Sequence, residues 1–251
     1  MNKMMMTTKR KNNSTYTIYK SSNRGIVDHG WLKSFHTFSF GTYFNPERIQ
    51  FGALRVFNDD SVEGGMGFGE HPHDNMEIIS IPLEGQLEHK DSLGNTTCIK
   101  AGEIQVMSAG TGVYHTEYNK NKQTPVKFLQ IWIFPKLRNV QPRYDQLDFS
   151  SKLEKNTLLQ ILSPFEHDEG VWIHQDAWMH IGSFDGNHTL DYSLKKKDDG
   201  LFIFVIEGSI LVDGHILNAR DAIGLFELTH FQATVKRNAR ILLIEVPPLF
   251  K

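Results

Sequence analysis

Two short motifs in the first half of the chain have residue types and a spacing that suit metal binding. A single proline separates His71 from His73, and a single threonine separates His115 from Glu117. Residues two apart in an extended strand point to the same face, about 6–7 Å apart along the chain, so each motif directs two donor groups one way. Three neutral imidazoles and a carboxylate can hold a divalent transition metal and leave positions for water, substrate or dioxygen. The motifs therefore predict one single-metal site, built from neighbouring strands.

Glu77 offers the predicted site a further carboxylate. If strand parity continued from the first motif, Glu77 would share the face of His71 and His73, either supporting a ligand or acting as an alternative oxygen ligand. Of the two carboxylates, Glu117 is the preferred ligand. A histidine that stands apart in the sequence is expected to be structural, and this expectation covers His29, His89, His167, His174, His180, His188, His215 and His230.

Composition and charge argue against a nucleic-acid or membrane role. The 251 residues carry a formal net charge of -2, with 39% hydrophobic and 22% charged residues. Direct nucleic-acid binding needs a concentrated basic face, and a membrane span needs about 20 mostly apolar residues in a row. Neither feature is present in the sequence. Cys98 is the single cysteine and cannot form an intramolecular disulfide, which fits a reducing compartment, so we expect a cytoplasmic protein.

The segments that must position the motifs are typical of short β-strands. Residues 52–57, 77–83, 103–107 and 127–134 are rich in β-branched and aromatic residues and lie close to turn-forming residues. Strands resume after about residue 157, beyond a polar stretch that contains Pro135 and Pro142. We therefore predict an all-β protein of two tandem barrels. The expected boundaries are a disordered tail at 1–15, a metal-binding barrel at 16–135, a linker at 136–156 and a second barrel at 157–251.

A faint internal repeat supports two copies of one barrel. Leu-Glu-Gly at 83–85 is echoed by Ile-Glu-Gly at 206–208, and Ala-Gly-Glu at 101–103 by Ala-Arg-Asp at 219–221, in the same order. Carried over by these offsets, the positions of the two motifs and Glu77 fall on residues that cannot replace a ligand: Leu194, Lys196, Gly200, Ala233 and Val235. We expect the second barrel to be metal-free and structural.

The same residues carry a resemblance to the cupin superfamily and, within it, to the pirin family of double-barrel proteins. The first cupin motif is matched by Gly65, His71, His73, Glu77 and Gly85, with one extra residue before the last glycine. The second is matched over residues 110–119 without its usual proline. Residues 36–41, 51–60, 67–73, 76–78, 83–85, 89–94 and 107–112 look like pirin signatures, dense between about residues 24 and 144. The resemblance implies two jelly-roll-like cupin barrels, the second one degenerate.

By resemblance, the pirin metal ligands fall on His71, His73, His115 and Glu117, and the metal of the family is usually iron. Similar pirins act as quercetinases, which open the central ring of a flavonol with dioxygen and release carbon monoxide. The partners expected are thus a small aromatic substrate and O2, with Glu117 also acting as the base for the 3-hydroxyl. The donor set itself also accepts nickel, cobalt, manganese, copper or zinc.

The substrate cleft should be apolar and lie beside the metal. Its candidate lining residues are His36, Phe40, Phe68, Met76 and Met107. Two alternatives remain open at this stage: a non-catalytic regulatory protein that uses the filled site to recognise another protein, and a cupin oxygenase for a different aromatic metabolite. A double-barrel chain already packs two sheets together, so we expect a monomer.

Overall fold

The computed structural model describes residues 8–9 and 15–249 of the chain. The predicted disordered tail at 1–15 lies outside the described residues except for Thr8, Lys9 and Thr15. No helix among the described residues is long and apolar enough to cross a membrane. In that part of the chain the helical segments are two 3-10 turns, Ser21–Asn23 and Ser150–Lys152, and strands dominate, so the prediction of an all-β protein is confirmed.

The strands are numbered in chain order. They are β1 (Thr8–Lys9), β2 (Thr15–Tyr19), β3 (Gly25–Asp28), β4 (Leu32–His36), β5 (Leu54–Val62), β6 (Gly67–His73), β7 (Glu77–Glu84), β8 (Gln86–Asp91), β9 (Thr96–Lys100), β10 (Glu103–Ser108), β11 (Val113–Asn119), β12 (Val126–Ile133), β13 (Arg143–Asp148), β14 (Leu159–Ser163), β15 (Val171–Trp172), β16 (Trp178–Phe184), β17 (Thr189–Ser193), β18 (Gly200–Val212), β19 (His215–Asn218), β20 (Ala222–Phe226) and β21 (His230–Val246).

The chain divides into two compact units. The first unit contains Gly25–Ser151 and Ser163–Asp176, and the second contains the chain up to Arg24, Lys152–Leu162 and the chain from Ala177 onward. This division differs from the predicted boundaries at three places. Ser163–Asp176, predicted as part of the second barrel, belongs to the first unit. Strand β2 pairs with β20, so the N-terminal segment belongs to the second unit. Strand β13 lies inside the predicted linker, where six residues pair with β10 as an edge strand. An edge strand tolerates polar residues on both faces, which is why this segment lacked the apolar pattern of a strand.

The first unit is a sandwich of two antiparallel sheets. One sheet has the strand order β13-β10-β7-β12-β5-β4-β3, and the other has the order β6-β11-β8-β9. A buried cluster draws Leu32, Val62 and Phe128 from the first sheet and Leu87 and Ile99 from the second, so apolar faces of the two sheets meet there. Burying such faces is the main stabilising term of a sandwich. The four-stranded sheet carries both predicted metal motifs.

The second unit is built around two long strands, β18 and β21. Its central order is β2-β20-β18-β21-β16-β14, while β17 pairs with β21 and β19 with β18. Its core is a single large cluster of buried aliphatic and aromatic residues, including Leu201, Phe231 and Leu243. The two facing sheets of the first unit and the single antiparallel sheet of the second are consistent with the jelly-roll form expected of cupins.

Both landmarks of the internal repeat have matching backbone structure in the two units. Gly85 and Gly208 have φ angles of 78° and 79°, and each glycine follows the glutamate of its copy. At the second landmark Gly102 and Arg220 both have positive φ, and the acidic residue that follows accepts a hydrogen bond from the backbone N–H three residues before it, at 3.0 Å in each case. The repeated residues therefore form the same turns in both units, which supports duplication of one domain.

Candidate metal centre

The register of the four-stranded sheet brings the two histidine motifs together. On β11, His115 lies directly opposite His71 of β6, and Val113 lies opposite His73. On the other side of β11, Glu117 lies opposite His89 of β8. Opposite residues in an antiparallel pair have Cα atoms about 4.5–5.5 Å apart, so their side chains meet on one face. Four ionisable side chains of three adjacent strands thus share the interior of the first unit.

Three of the four predicted ligands converge on one point. The rings of His71, His73 and His115 have centroids 4.4–4.9 Å apart in pairs, and one nitrogen of each lies within 4.8 Å of the other two. The Nε2 atoms of His71 and His115 are 3.0 Å apart. Metal–imidazole bonds of about 2.1 Å at right angles to each other give a nitrogen–nitrogen distance of about 3 Å. The spacing therefore fits two ligands of one ion.

The outer nitrogens of these rings fix which atoms can bind a cation. The Nδ1 of His71 lies 2.7 Å from the carbonyl of Gly69, so it donates a proton and leaves Nε2 with its lone pair. The Nδ1 of His115 lies 3.4 Å from the Nδ1 of His89, and the Nε2 of His89 donates to Asp91 at 2.9 Å. His89 Nδ1 is then an acceptor, which Gln105 Nε2 at 3.3 Å shares with His115 Nδ1 as donors. Two Nε2 lone pairs consequently face each other, an arrangement that a cation between them stabilises.

Burial keeps the imidazoles of His73 and His115 uncharged at neutral pH. Desolvation, followed by repulsion from His71, His73 and His89, lowers the pKa of His115 to about 2. Desolvation, with repulsion from His71, lowers the pKa of His73 to about 4. A neutral imidazole is the form that binds metals. These histidines can therefore act as ligands without first losing a proton.

Glu117 lies deeper in the same interior. Its two carboxylate oxygens accept hydrogen bonds from Ser80 Oγ at 3.1 Å and from Gln130 Nε2 at 2.8 Å. A carboxylate oxygen of Glu117 lies within 4.8 Å of ligand atoms of both His89 and His115, but it does not join the closer cluster of three imidazoles. Complete burial raises the pKa of Glu117 to about 7, although both hydrogen bonds oppose the rise. The carboxyl group can therefore exchange a proton near neutral pH.

Glu77 faces away from the histidines, contrary to the parity argument made from the sequence. A turn at Asn75, which has a φ of 46°, separates β6 from β7 and places the two strands in different sheets. Along β7, Ser80 contacts Glu117, and Glu77 lies three residues earlier on the opposite face. There its carboxylate accepts a hydrogen bond from Ser108 at 2.6 Å, and burial raises its pKa to about 7. Strand parity does not carry across a turn.

The five predicted pocket residues divide into two groups. His36, Phe40 and Phe68 line one cavity in the first unit. Met107 is completely buried and packs in a hydrophobic cluster against which Met76 is also packed, so both methionines belong to the core. Among the described residues, the cavity is therefore a better candidate for the substrate cleft than the methionine cluster.

His89 was missed as a functional residue. It was grouped with the lone histidines, yet it is completely buried and lies between His115 and Tyr144, with ring centroids 5.3 Å and 4.8 Å away. The signal available in the sequence was its spacing from Asp91, since both lie on one strand two residues apart, as in the other two motifs. The His89–Asp91 pair has the same spacing as the histidine–glutamate pair of the second motif.

Comparisons with known proteins match the chain over both units. The family model described as "Pirin" matches residues 19–133, and the model described as "Quercetinase C-terminal cupin domain" matches residues 160–246. An Escherichia coli protein named quercetin 2,3-dioxygenase is 37% identical over 234 residues, which cover 92% of this chain and 98% of that protein. The chain belongs to the pirin family. This pirin is 36% identical to a pirin-like protein from Caulobacter vibrioides, and the match covers 88% of this chain and 95% of the relative.

Solved structures agree with this assignment. The crystal structure of the E. coli pirin YhhW in complex with nickel(II) is 35% identical to this pirin and superposes with a TM-score of 0.88, over 93% of this chain and 100% of that one. A quercetin 2,3-dioxygenase from Acinetobacter baumannii has a TM-score of 0.73 over 92% of this chain and 85% of its own. Its identity is 18%, so that likeness concerns the fold alone. The predicted pair of cupin domains is confirmed.

Proposed function

We propose that this pirin is a metal-dependent dioxygenase that opens the ring of flavonols. It would hold one divalent ion, iron in the working enzyme, through His71, His73, His115 and Glu117. The observation that carries the proposal is the 3.0 Å approach of the Nε2 atoms of His71 and His115, beside a third imidazole and near a buried carboxyl group. Relatives named quercetin 2,3-dioxygenase, which extend over nearly the whole chain, support the choice of reaction.

The residues present fit such an ion. The three imidazoles offer nitrogen donors, and those of His73 and His115 are neutral at neutral pH. Each of the two rings that face each other has its outer nitrogen occupied by a hydrogen-bond partner. When bound, the metal supplies Lewis-acid stabilisation of a flavonolate oxygen and a site beside it for dioxygen. Iron is proposed because of the family resemblance, whereas nickel is the ion in the YhhW complex. Later metals generally bind such donor sets more tightly than iron.

Glu117 is the proposed base. A carboxyl group whose pKa is about 7 accepts a proton readily at neutral pH, which matches the task of deprotonating the 3-hydroxyl of a flavonol. Ser80 and Gln130 donate hydrogen bonds to its two oxygens and thus keep the carboxyl group in one orientation. Trp132 packs edge-on against His73 with centroids 4.9 Å apart and forms an aromatic wall beside the histidines. An aromatic substrate can pack against that wall.

The test is turnover by the iron-loaded protein. Quercetin is mixed with wild type, His71→Ala and Glu117→Ala in air, and loss of flavonol absorbance and release of carbon monoxide are both followed. The matched control is Glu77→Gln, which changes an equally buried carboxyl group outside the site. We expect turnover by wild type and the control and loss in the two site variants.

Two results would contradict the proposal. If wild type with stoichiometric iron opened no flavonol, the dioxygenase assignment would be wrong and a regulatory pirin would be the better description. If His71→Ala turned over quercetin as fast as wild type, the reaction would have to occur elsewhere in the molecule.

A further inference from the structure

A cavity of about 170 Å³ lies inside the first unit, away from the three imidazoles. Its walls are mostly apolar and include Val27, Leu32, Phe40 and Phe68. One side is polar and is formed by four residues of β4 and β5: Ser34, His36, Asn58 and Asp60. A cavity of about 150 Å³ in another protein is known to hold benzene, so this volume suits one substituted six-membered ring.

Two buried atoms on the polar side have no hydrogen-bond partner among the described residues. They are Nδ1 of His36 and Oδ1 of Asn58, and both side chains are at least 95% buried. A buried polar atom left without a partner costs roughly 1–3 kcal/mol, so native proteins rarely keep one without a use. By contrast, Asp60 on the same side accepts a hydrogen bond from the hydroxyl of Ser34. The unmatched hydrogen-bonding capacity is thus concentrated at His36 and Asn58.

Both unpartnered atoms are acceptors, and they belong to residues that lie opposite each other on adjacent strands. His36 donates a hydrogen bond to the backbone of Phe40; because Nδ1 is the nitrogen without a partner, Nε2 is the donor and Nδ1 carries the lone pair. His36 and Asn58 are directly opposite each other in the pairing of β4 with β5. Opposite side chains in an antiparallel pair lie within about 5.5 Å of each other at their Cβ atoms. The cavity therefore presents two adjacent acceptors to anything inside it.

Two rows of neighbouring side chains run from the cavity towards the candidate metal centre. One is a polar row across the sheet, in which Gln130 lies opposite both Ser80 and Asn58, and Asn58 lies opposite His36. Gln130 also donates to Glu117, so the row begins at the proposed base. With strands about 4.8 Å apart, His36 lies two strands, or about 10 Å, from Gln130.

The second row consists of aromatic side chains. Phe40 lies edge-on to His36 and to Trp132, with centroids 5.4 Å and 5.2 Å away, and Trp132 lies edge-on to His73. An aromatic ligand that reaches from the histidines to the cavity would pass along this wall without leaving apolar surroundings.

We propose that the cavity binds the pendant phenyl ring of the substrate and selects rings that carry adjacent hydroxyl groups. One hydroxyl would donate to His36 Nδ1 and its neighbour to Asn58 Oδ1, which satisfies both buried acceptors. The preferred substrate class is then a flavonol with a catechol ring. This inference rests on the proposed function, because it assumes that the rest of the flavonol lies at the metal.

Binding without turnover tests the inference directly. Iron-loaded protein is titrated in the absence of oxygen with quercetin, whose pendant ring is a catechol, and with galangin, the flavonol with the same core and an unsubstituted pendant ring. Dissociation constants come from quenching of tryptophan fluorescence. Each hydrogen bond is worth roughly 1 kcal/mol, so we expect quercetin to bind wild type about tenfold more tightly, or better. His36→Phe and Asn58→Leu should each weaken the binding of quercetin by several-fold and leave the affinity for galangin nearly unchanged.

Two further variants keep the test decisive if a replacement disturbs folding. His36→Asn keeps an oxygen acceptor near the position of Nδ1 and should retain most of the preference for quercetin. Val27→Ala enlarges the apolar wall of the same cavity and should weaken both flavonols alike. Equal affinity of wild type for the two flavonols would overturn the inference. The inference would also be overturned if His36→Phe and Asn58→Leu lost affinity for both flavonols equally and His36→Asn preferred quercetin no more than His36→Phe does.

Turnover separates this inference from the function on which it rests. If quercetin and galangin were opened in air with the same KM, the subsite would be wrong while the dioxygenase assignment stood. If quercetin bound with the expected preference but was never opened, the dioxygenase assignment would fail and the hydroxyl-selective cavity would stand as a binding site.

Discussion

Replacing Glu117 by glutamine should stabilise the metal-free protein at alkaline pH while weakening its hold on metal. In the folded protein, burial raises the pKa of Glu117 to about 7 from an ordinary value of 4.5. Between these two values the unfolded chain releases the proton and the folded chain keeps it. The folded state therefore binds more protons, and the free energy of unfolding falls as pH rises from about 4.5 to about 7. Above that range, the buried and ionised carboxyl group has its full destabilising effect on the folded protein.

The size of the effect follows from the shift. One pKa unit corresponds to about 1.4 kcal/mol, so a shift from 4.5 to about 7 amounts to about 3 kcal/mol. Glutamine cannot ionise, and its amide can still accept from Gln130 and donate to Ser80, the two partners of the carboxylate. Relative to wild type, Glu117→Gln should thus gain about 3 kcal/mol between about pH 4 and about pH 8. In an average domain, that gain is a large part of the total stability.

The assay is urea denaturation of the metal-free protein across this pH range, followed by the same measurement with metal. Glu77→Gln is the matched control, because burial raises the pKa of Glu77 to about 7 as well and its carboxylate lies on the opposite face of β7. Both variants should flatten the pH dependence by a similar amount. With metal added, only Glu117→Gln should lose stabilisation, since only Glu117 is a proposed ligand.

Two outcomes would refute this reasoning. If Glu117→Gln followed the same pH dependence as the metal-free wild type, the carboxyl group would not be held protonated by burial. If Glu77→Gln lost metal affinity as strongly as Glu117→Gln, the assignment of the carboxylate ligand from the geometry would be wrong.

The remaining predictions concern the support of His115, the effect of metal and one turn. His89→Phe and Asp91→Asn should each weaken metal binding about 10–100-fold in a chelator competition. The first change removes the acceptor of the His115 hydrogen bond, and the second removes the carboxylate that orients His89; unchanged affinity would contradict this role. Metal at about 100 times its dissociation constant should stabilise wild type by about 2.7 kcal/mol, measured by urea denaturation, and a saturating ion without effect would exclude a folded-state site. Gly208→Ala should cost about 2 kcal/mol more than Gly30→Ala in the same assay. Both glycines have positive φ, but an added Cβ would lie 1.9 Å from Asn238 O at Gly208 and meets nothing within 4 Å at Gly30. Equal costs would contradict the close contact.

The all-β fold and the common face of the two side chains within each motif were within reach of the sequence because both depend on local periodicity. A His-x-His step sets two rings on one face wherever the strand lies. What the sequence lacks is register. The pairing of His71 with His115 depends on which residues of β6 and β11 oppose each other, and that register includes an irregularity between His115 and Glu117. The same missing information explains Glu77, whose face depends on a single turn at Asn75.

Register also explains why the polar row could not be predicted. Ser80, Gln130, Asn58 and His36 come from four strands that are far apart in the sequence, and each is unremarkable in its own strand. Only when β7, β12, β5 and β4 are aligned do these side chains form one line from Glu117 to the cavity. Buried polar residues in a sandwich core reduce stability unless they are paired. A row whose Glu117 end is hydrogen-bonded and whose far end keeps two unpartnered acceptors therefore indicates that binding of a ligand, and not folding, is what the far end serves.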